Sequence, residues 1–181
     1  MTVFWEHGYE ATSTEHLIRA MGIGRQSMYD SFGDKHRLYL EAFRLYGTEA
    51  EAEFSELVAA AATPFEAIRD HILAIAEGTT EDRSRGCLLV NSTTELAPSD
   101  PEIGEMVRSM NSRCLAAFEA VLQEAKHRGE VDPSVDERVA ANFLLNTMRG
   151  LQVGAKAGVP PEDLREIALW ALATLKPLGA V

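Results

Sequence analysis

At 181 residues, 46% of them hydrophobic and 25% charged, the chain can bury a real core as one or two small domains. It has no apolar run of about 18 residues and no charged-then-apolar leader, so neither a membrane-spanning helix nor a secretory signal is expected. Two cysteines, Cys87 and Cys114, are too few for a disulfide framework and fit a reducing cytoplasm. The net charge of −11 is uneven: the first 45 residues hold 5 Lys/Arg against 6 Asp/Glu and the remainder 12 against 22. The acidic body disfavours indiscriminate sticking to nucleic acid and leaves any such recognition to a local patch.

Residues 1–10, MTVFWEHGYE, read as the last turns of a helix ending at Gly8, with Val3, Phe4 and Tyr9 available for packing. Thr12 and Glu15 have capping-box spacing, so a helix is expected from Ser13, with Leu17, Ile18 and Met21 on its apolar face. Gly22-Ile23-Gly24 ends it in a sharp turn. A second helix, Arg25 to Ser31, turns Met28 and Phe32 inward and leaves its polar residues for other faces. Asp34 is the expected N-cap of a long helix from Lys35 to about Ala62. The acidic run Glu49, Glu51, Glu53 and Glu56 in that helix is a solvated face.

Two helices joined by so short a turn form either an αα-hairpin of an ordinary helical domain or a DNA-reading helix-turn-helix. The second helix carries donors suited to DNA. Arg25 matches guanine and Gln26 matches adenine at major-groove edges. Thr12, Ser13, Ser27, Tyr29, Ser31 and Lys35 are candidate phosphate contacts, with Gly24 at the helix entrance.

Further on, Thr63-Pro64-Phe65-Glu66 is a capped helix start, and the helix continues to Gly78. Residues 79–86, TTEDRSRG, read as a loop. A short helix then holds Cys87 to Leu96 and stops before Pro98. Ser99-Asp100-Pro101 opens another, whose Ile103, Val107, Met110, Cys114, Ala117, Val121 and Ala125 keep a helical period until Gly129. After a connector at Asp132-Pro133, helices are expected over roughly 136–157 and 161–175. The first carries Gly150, Gly154 and Gly158 on one stripe, a pattern that permits close approach of another backbone at a cost of about 1 kcal/mol per glycine. The second is apolar on nearly all sides after Arg165, so burial on both sides, by a partner subunit, is expected.

At this point the N-terminal stretch resembles the DNA-binding domain of the TetR family of transcriptional repressors. The resemblance rests on Gly8-Tyr9 followed by Ala11-Thr12-Ser13, on the Met21-Gly22-Ile23-Gly24 turn, on Met28-Tyr29 with Phe32, and on Asp34-Lys35 leading into Leu38. The rest of the chain is similar to the family's C-terminal body only in being helical. The resemblance implies a homodimer joined through its last two helices as a four-helix bundle, a ligand pocket in the body, and a long connecting helix that carries the signal. Members usually have a longer first helix and a basic arm before it; if the natural protein begins at Met1, phosphate contacts from such an arm are missing, the alternative being a truncated or re-assigned start.

The expectation is therefore an all-α fold: a three-helix helix-turn-helix DNA-binding domain (1–46) joined by a long helix to a ligand-binding and dimerisation domain (47–181). Candidate ligand-lining residues are Asn91, Met106, Met110, Phe118, Phe143, Asn146 and Trp170, together with Asn142. Candidate dimer contacts are Gly150, Gly154, Gly158, Leu164, Ile167 and Ala171. Enzyme chemistry is not expected. The five histidines are scattered without metal-ligand spacing, and no phosphate-cradling glycine loop or nucleophile elbow is present. Cys87, beside Leu88-Leu89-Val90, reads as a buried thiol in preference to a redox sensor. No cofactor is implied. The function so read is a cytoplasmic, ligand-responsive regulator, a repressor released from a palindromic operator by a small apolar effector. The alternative is a helical small-molecule- or partner-binding protein whose DNA-binding end is truncated or non-functional.

Overall fold

The computed structural model describes residues 1–176, so the last five residues of the 47–181 division lie outside the described residues. Among the described residues there are ten helices and no strand: α1 Thr2–His7, α2 Thr14–Met21, α3 Arg25–Phe32, α4 Lys35–Ala60, α5 Pro64–Glu77, α6 Thr80–Arg85, α7 Leu88–Glu95, α8 Pro101–His127, α9 Glu137–Lys156 and α10 Pro161–Ala173. The fold is all-α.

Local signals account for most boundaries. The Asp34 carboxylate accepts from Arg37 N–H at 2.7 Å, and the Thr63 hydroxyl accepts from Glu66 N–H at 3.2 Å with Pro64 at the first helical position. Asp100 caps α8 through Glu102 and Ile103, and Asp136 caps α9 through Val139. Residues 79–86 are a correction: α6 occupies most of the expected loop. Thr79 and Asp82 close a reciprocal capping box, with an aspartate in the place more often taken by glutamate or glutamine.

The chain divides into two compact units. One comprises residues 1–50 and 87–109, the other residues 51–86 and everything from 110 onward. The division at 46/47 thus differs from the packing at residues 87–109, which lie with the N-terminal helices. The cause is polar as well as apolar. Tyr39, on α4, is 2% exposed, and its hydroxyl lies 2.7 Å from Ser92 Oγ of α7. Ser92 donates its own hydroxyl proton to Leu88 O at 2.6 Å, so the Tyr39 hydroxyl is the donor between them. Burial pushes the Tyr39 phenol up to about 12. The Glu95 carboxylate accepts the N–H groups of Tyr9 and Glu10, and His36 Nε2 meets Asp100 Oδ2 at 2.6 Å. Phe4 and Tyr9 pack edge-on to Tyr39, with ring centres 5.0 and 5.1 Å away.

In the second unit α10 packs on α5 and α9. The core gathers Phe54, Ile68, Ile72, Phe118, Leu122, Leu144, Leu151 and Leu164. Phe118 stacks on Phe54 with ring centres 4.9 Å apart, and His71 tilts against both rings. Burial holds the His71 imidazole below its ordinary range, so it is neutral at neutral pH.

Candidate nucleic-acid interface

The turn between α2 and α3 is built by backbone chemistry. Ser13 Oγ accepts from His16 N–H at 3.2 Å and starts α2. Gly22 ends the helix in the left-handed region (φ 66°), a conformation that a side chain would strain, and its N–H returns to Ile18 and Arg19 carbonyls. Gly24 then caps α3 in ordinary extended backbone, with open space where a side chain would sit. It can offer DNA only its backbone.

Helix α3 is held by one fully buried side chain, Met28, while Phe32 is half-buried. Arg25, Gln26, Ser27, Tyr29, Asp30 and Ser31 are all exposed. The short helix therefore presents two possible base-reading donors and three hydroxyls on one polar surface. The donors are not idle. Arg25 Nη2 is paired with the Glu15 carboxylate of α2, and Gln26 Nε2 donates to Asp30 Oδ1 at 2.8 Å.

Two expected phosphate contacts are corrected. Thr12 is fully buried. Its hydroxyl donates to Gly8 O at 2.6 Å, and Ser13, not Thr12, is the N-cap of α2. Lys35 turns inward. Its ammonium donates to Tyr9 O at 3.0 Å and Thr12 O at 3.1 Å, 4.1 Å from the centre of the Tyr9 ring. Two of its three donors thus hold the segment between α1 and α2. Lys35→Ala is expected to destabilise the first unit by about 1–3 kcal/mol, because two carbonyls lose a charged donor. The slope of DNA affinity against salt is expected to stay unchanged. A slope reduced by about 0.9 at unchanged melting temperature would make Lys35 a phosphate contact after all.

The expected ligand-lining residues are divided between the two units. Asn91 and Met106 are half-buried and belong to the first unit, whereas Met110 and Phe118 are buried in the second. Phe143, Asn146 and Trp170 are exposed, as is Asn142, and Trp170 is 72% exposed. The Asn146 amide is engaged locally, donating to Asn142 O and accepting from Arg149. These three side chains face outward because the opposite stripe of α9 (Ala140, Ala141, Leu144, Leu145, Met148, Leu151) and the opposite side of α10 fill the core.

The same packing puts the expected dimer contacts in different surroundings. Leu164 and Ala171 are buried within the unit. A Cβ on Gly154 would lie 3.2 Å from Leu164 Cδ2, so this glycine admits α10 of the same chain. Gly158 lies beyond the end of α9 with φ +87°. Gly150 and Ile167 do face outward. Further exposed apolar residues on these two helices, which sequence reasoning did not single out, are Val139 and Val153 on α9 and Leu169 on α10, alongside Phe143 and Trp170. The signal was present: 139, 143, 146, 150 and 153 follow the 4-3-4-3 spacing of one helix stripe. Among the described residues no helix is long and apolar enough to cross a membrane, and no three His, Cys, Asp or Glu side chains gather as a metal site.

Comparison with known proteins agrees with this architecture. Residues 1–42 match the family described as bacterial regulatory proteins, tetR family, and residues 64–168 match the tetracyclin repressor-like C-terminal domain. The chain is 30% identical over 170 residues to the HTH-type transcriptional repressor ComR of Escherichia coli (strain K12), spanning 93% of this chain and 81% of that protein. It is 32% identical over 169 residues to the HTH-type transcriptional regulator YezE of Bacillus subtilis (strain 168), spanning 91% and 86%. Among solved structures it is similar to the TetR family transcriptional regulator CifR, in a cysteine-substituted form complexed with 26-base-pair operator DNA. That match has a TM-score of 0.81 at 27% identity and covers 94% of this chain and 90% of that one. With a helix-turn-helix at its N-terminus and a matching helical body, the chain belongs to the TetR family of bacterial transcriptional regulators, which are not enzymes.

Proposed function

We propose that the protein is a ligand-responsive repressor that binds a palindromic operator as a homodimer in the cytoplasm. The observation that carries this reading is α3, an eight-residue helix anchored through Met28 that turns Arg25, Gln26, Ser27, Tyr29 and Ser31 to solvent. Laid in a major groove, it would put Arg25 and Gln26 against base edges and the hydroxyls of Ser13, Ser27, Tyr29 and Ser31 near phosphates. The exposed apolar stripe on α9 and α10 supports a two-fold partner. Two-fold symmetry asks for half-sites about one helical turn or a little more apart. The similarity to ComR, a repressor, and to CifR, a regulator complexed with operator DNA, supports repression and operator binding here.

In this reading residues 1–46 recognise DNA, and residues 47–181 hold the effector and the partner. The effector is a small, mostly apolar molecule. Phe54 and Phe118, with the neutral His71 beside them, are the kind of aromatic surroundings with one polar group that such a molecule uses. The signal runs along α4, which starts in the first unit and ends in the second. The effector shifts DNA binding only by its differential affinity for the two states.

The test is fluorescence anisotropy on the DNA upstream of the protein's own gene, at two salt concentrations, with random duplex as competitor. Saturable binding that survives competitor is expected. Arg25→Ala is expected to weaken it by about 1–3 kcal/mol and relax specificity at one base pair. An equal loss on random DNA would make Arg25 a phosphate contact, and no binding above random DNA at low salt would overturn the repressor reading.

A further inference from the structure

The first 45 residues hold 5 Lys/Arg side chains: Arg19, Arg25, Lys35, Arg37 and Arg44. Three are engaged by the protein itself. Arg25 is paired with Glu15, Arg44 with Glu41, and Lys35 is folded onto the carbonyls of Tyr9 and Thr12. Arg19 and Arg37 are exposed, and among the described residues neither guanidinium has a hydrogen bond or an ion pair. Of these two, Arg37 stands next to the reading helix. α4 begins at Lys35, directly after α3 ends at Phe32. A helical side chain leans toward the N-terminus of its own helix, which carries Arg37 back over the turn between α3 and α4. The contacts agree: a Cβ on Gly33 would lie 3.3 Å from Arg37 Cδ and 3.9 Å from Nε. The Asp34 carboxylate accepts from the Arg37 backbone N–H at 2.7 Å and does not hold the guanidinium.

Resting on the proposed DNA-binding function, we infer that Arg37 is a DNA-contacting residue that holds a backbone phosphate beside the C-terminal end of α3, the place that Lys35 leaves open. A helix lying in the major groove has a phosphate backbone along each side, and the first turn of the next helix is what stands nearest its end. The Arg37 guanidinium meets a phosphate without first giving up a protein partner, unlike Arg25. Its fork can take two phosphate oxygens at once. Such a contact fixes position and carries no sequence information, so Arg37 sets affinity where Arg25 sets sequence choice. With 5 Lys/Arg against 6 Asp/Glu in these residues and Lys35 turned inward, few other side chains can supply the salt-dependent attraction to DNA.

The test measures wild type, R37Q, R37K and R19Q on an operator duplex and a random duplex of equal length across a salt series, with melting temperatures alongside. R37Q is expected to weaken binding to both duplexes by about fivefold to tenfold and to leave their ratio unchanged. The slope of affinity against salt should flatten by about 0.9 for each bound subunit. R37K keeps the charge and should keep the slope. R19Q removes a free cation from the same unit and should change the slope far less. An unchanged slope in R37Q overturns the inference; a lower melting temperature in that case assigns Arg37 to the C-terminal dipole of α3 instead. A loss confined to the operator also overturns it, since Arg37 would then read a base. An equal loss in R19Q reduces Arg37 to bulk charge, and a slope that stays flat in R37K shows that charge is not what the position supplies; either result overturns the inference. A wild type that binds neither duplex overturns the proposed function, and this inference with it. A wild type that binds the operator but is unmoved by R37Q overturns this inference alone.

Discussion

If the protein is the proposed homodimer, Trp170→Glu is expected to convert it to a monomer and to raise the dimer dissociation constant by about a thousandfold or more. Trp170 is 72% exposed on α10 beside Ile167 at 50%, and α9 supplies Val139, Phe143 and Val153. Exposed large apolar side chains gathered on two helices are the kind of surface that an interaction site uses. A tryptophan at the centre of an interface contributes roughly 2–4 kcal/mol when truncated, and a two-fold interface counts it twice. Every 1.4 kcal/mol is about tenfold, and a buried carboxylate adds its own penalty. Sedimentation velocity across a concentration series reads the change directly. Operator affinity should fall in step, since each half-site is then bound alone. Leu164→Ala is the informative companion. Leu164 is 2% exposed and packs against Gly154 of its own chain, so its loss should lower the melting temperature without selectively splitting the dimer. If Trp170→Glu sediments and binds operator as the wild type does, the α9–α10 face is not the interface.

How much of this was legible in the sequence depends on whether the deciding interaction is local. Asp34, Thr63, Asp100 and Asp136 each cap the helix that follows them, and Gly22 ends α2, because a cap involves only a few neighbouring atoms. The Thr12-Ser13 pair shows where that legibility stops. Both hydroxyls have capping chemistry. The choice fell to Ser13 because the Gly8 carbonyl, at the end of the preceding helix, takes the Thr12 hydroxyl. Lys35 is a stronger case. A lysine beside a helix-turn-helix suggests phosphate, yet its four-carbon stem lets it fold back onto two carbonyls and the Tyr9 ring, which lies 26 residues earlier in the chain.

The second unit was legible in kind and not in facing. Alternation along α9 separates 140, 141, 144, 145 and 148 from 139, 143, 146, 150 and 153, but both stripes contain apolar residues. Which stripe is inward is decided by α5, α8 and α10, whose placement no local pattern contains. Glycine spacing pointed to an interface between subunits, whereas Gly154 serves contact within one chain. Residues 87–109 were assigned to the body because nothing in their order reveals that Ser92, Glu95 and Asp100 bond to Tyr39, Tyr9, Glu10 and His36. Long-range polar pairs of this type leave no periodic trace.

Met28→Ala is expected to remove about 2–4 kcal/mol from the first unit and to abolish operator binding while leaving dimerisation intact. Met28 is fully buried, and no other residue of α3 is. Truncating a buried methionine costs both the transfer of its atoms and the cavity left behind. The consequence for α3 is larger than the number suggests, because an eight-residue helix is marginal in water without tertiary contacts. Losing its anchor frees the helix that carries Arg25 and Gln26, so the loss at the DNA surface should exceed that of Arg25→Ala alone. Hydrogen exchange gives the direct readout. The Met28 and Gly33 amides, bonded to Gly24 O and Tyr29 O, should lose protection in the variant, while amides of α9 and α10 should not. Met28→Leu, which nearly conserves volume, should restore most of both stability and binding. Operator binding that survives Met28→Ala with α3 amides exposed would mean that another element reads the DNA. Loss of the dimer in the same variant would mean that the reading head and the α9–α10 face do not fold independently of each other.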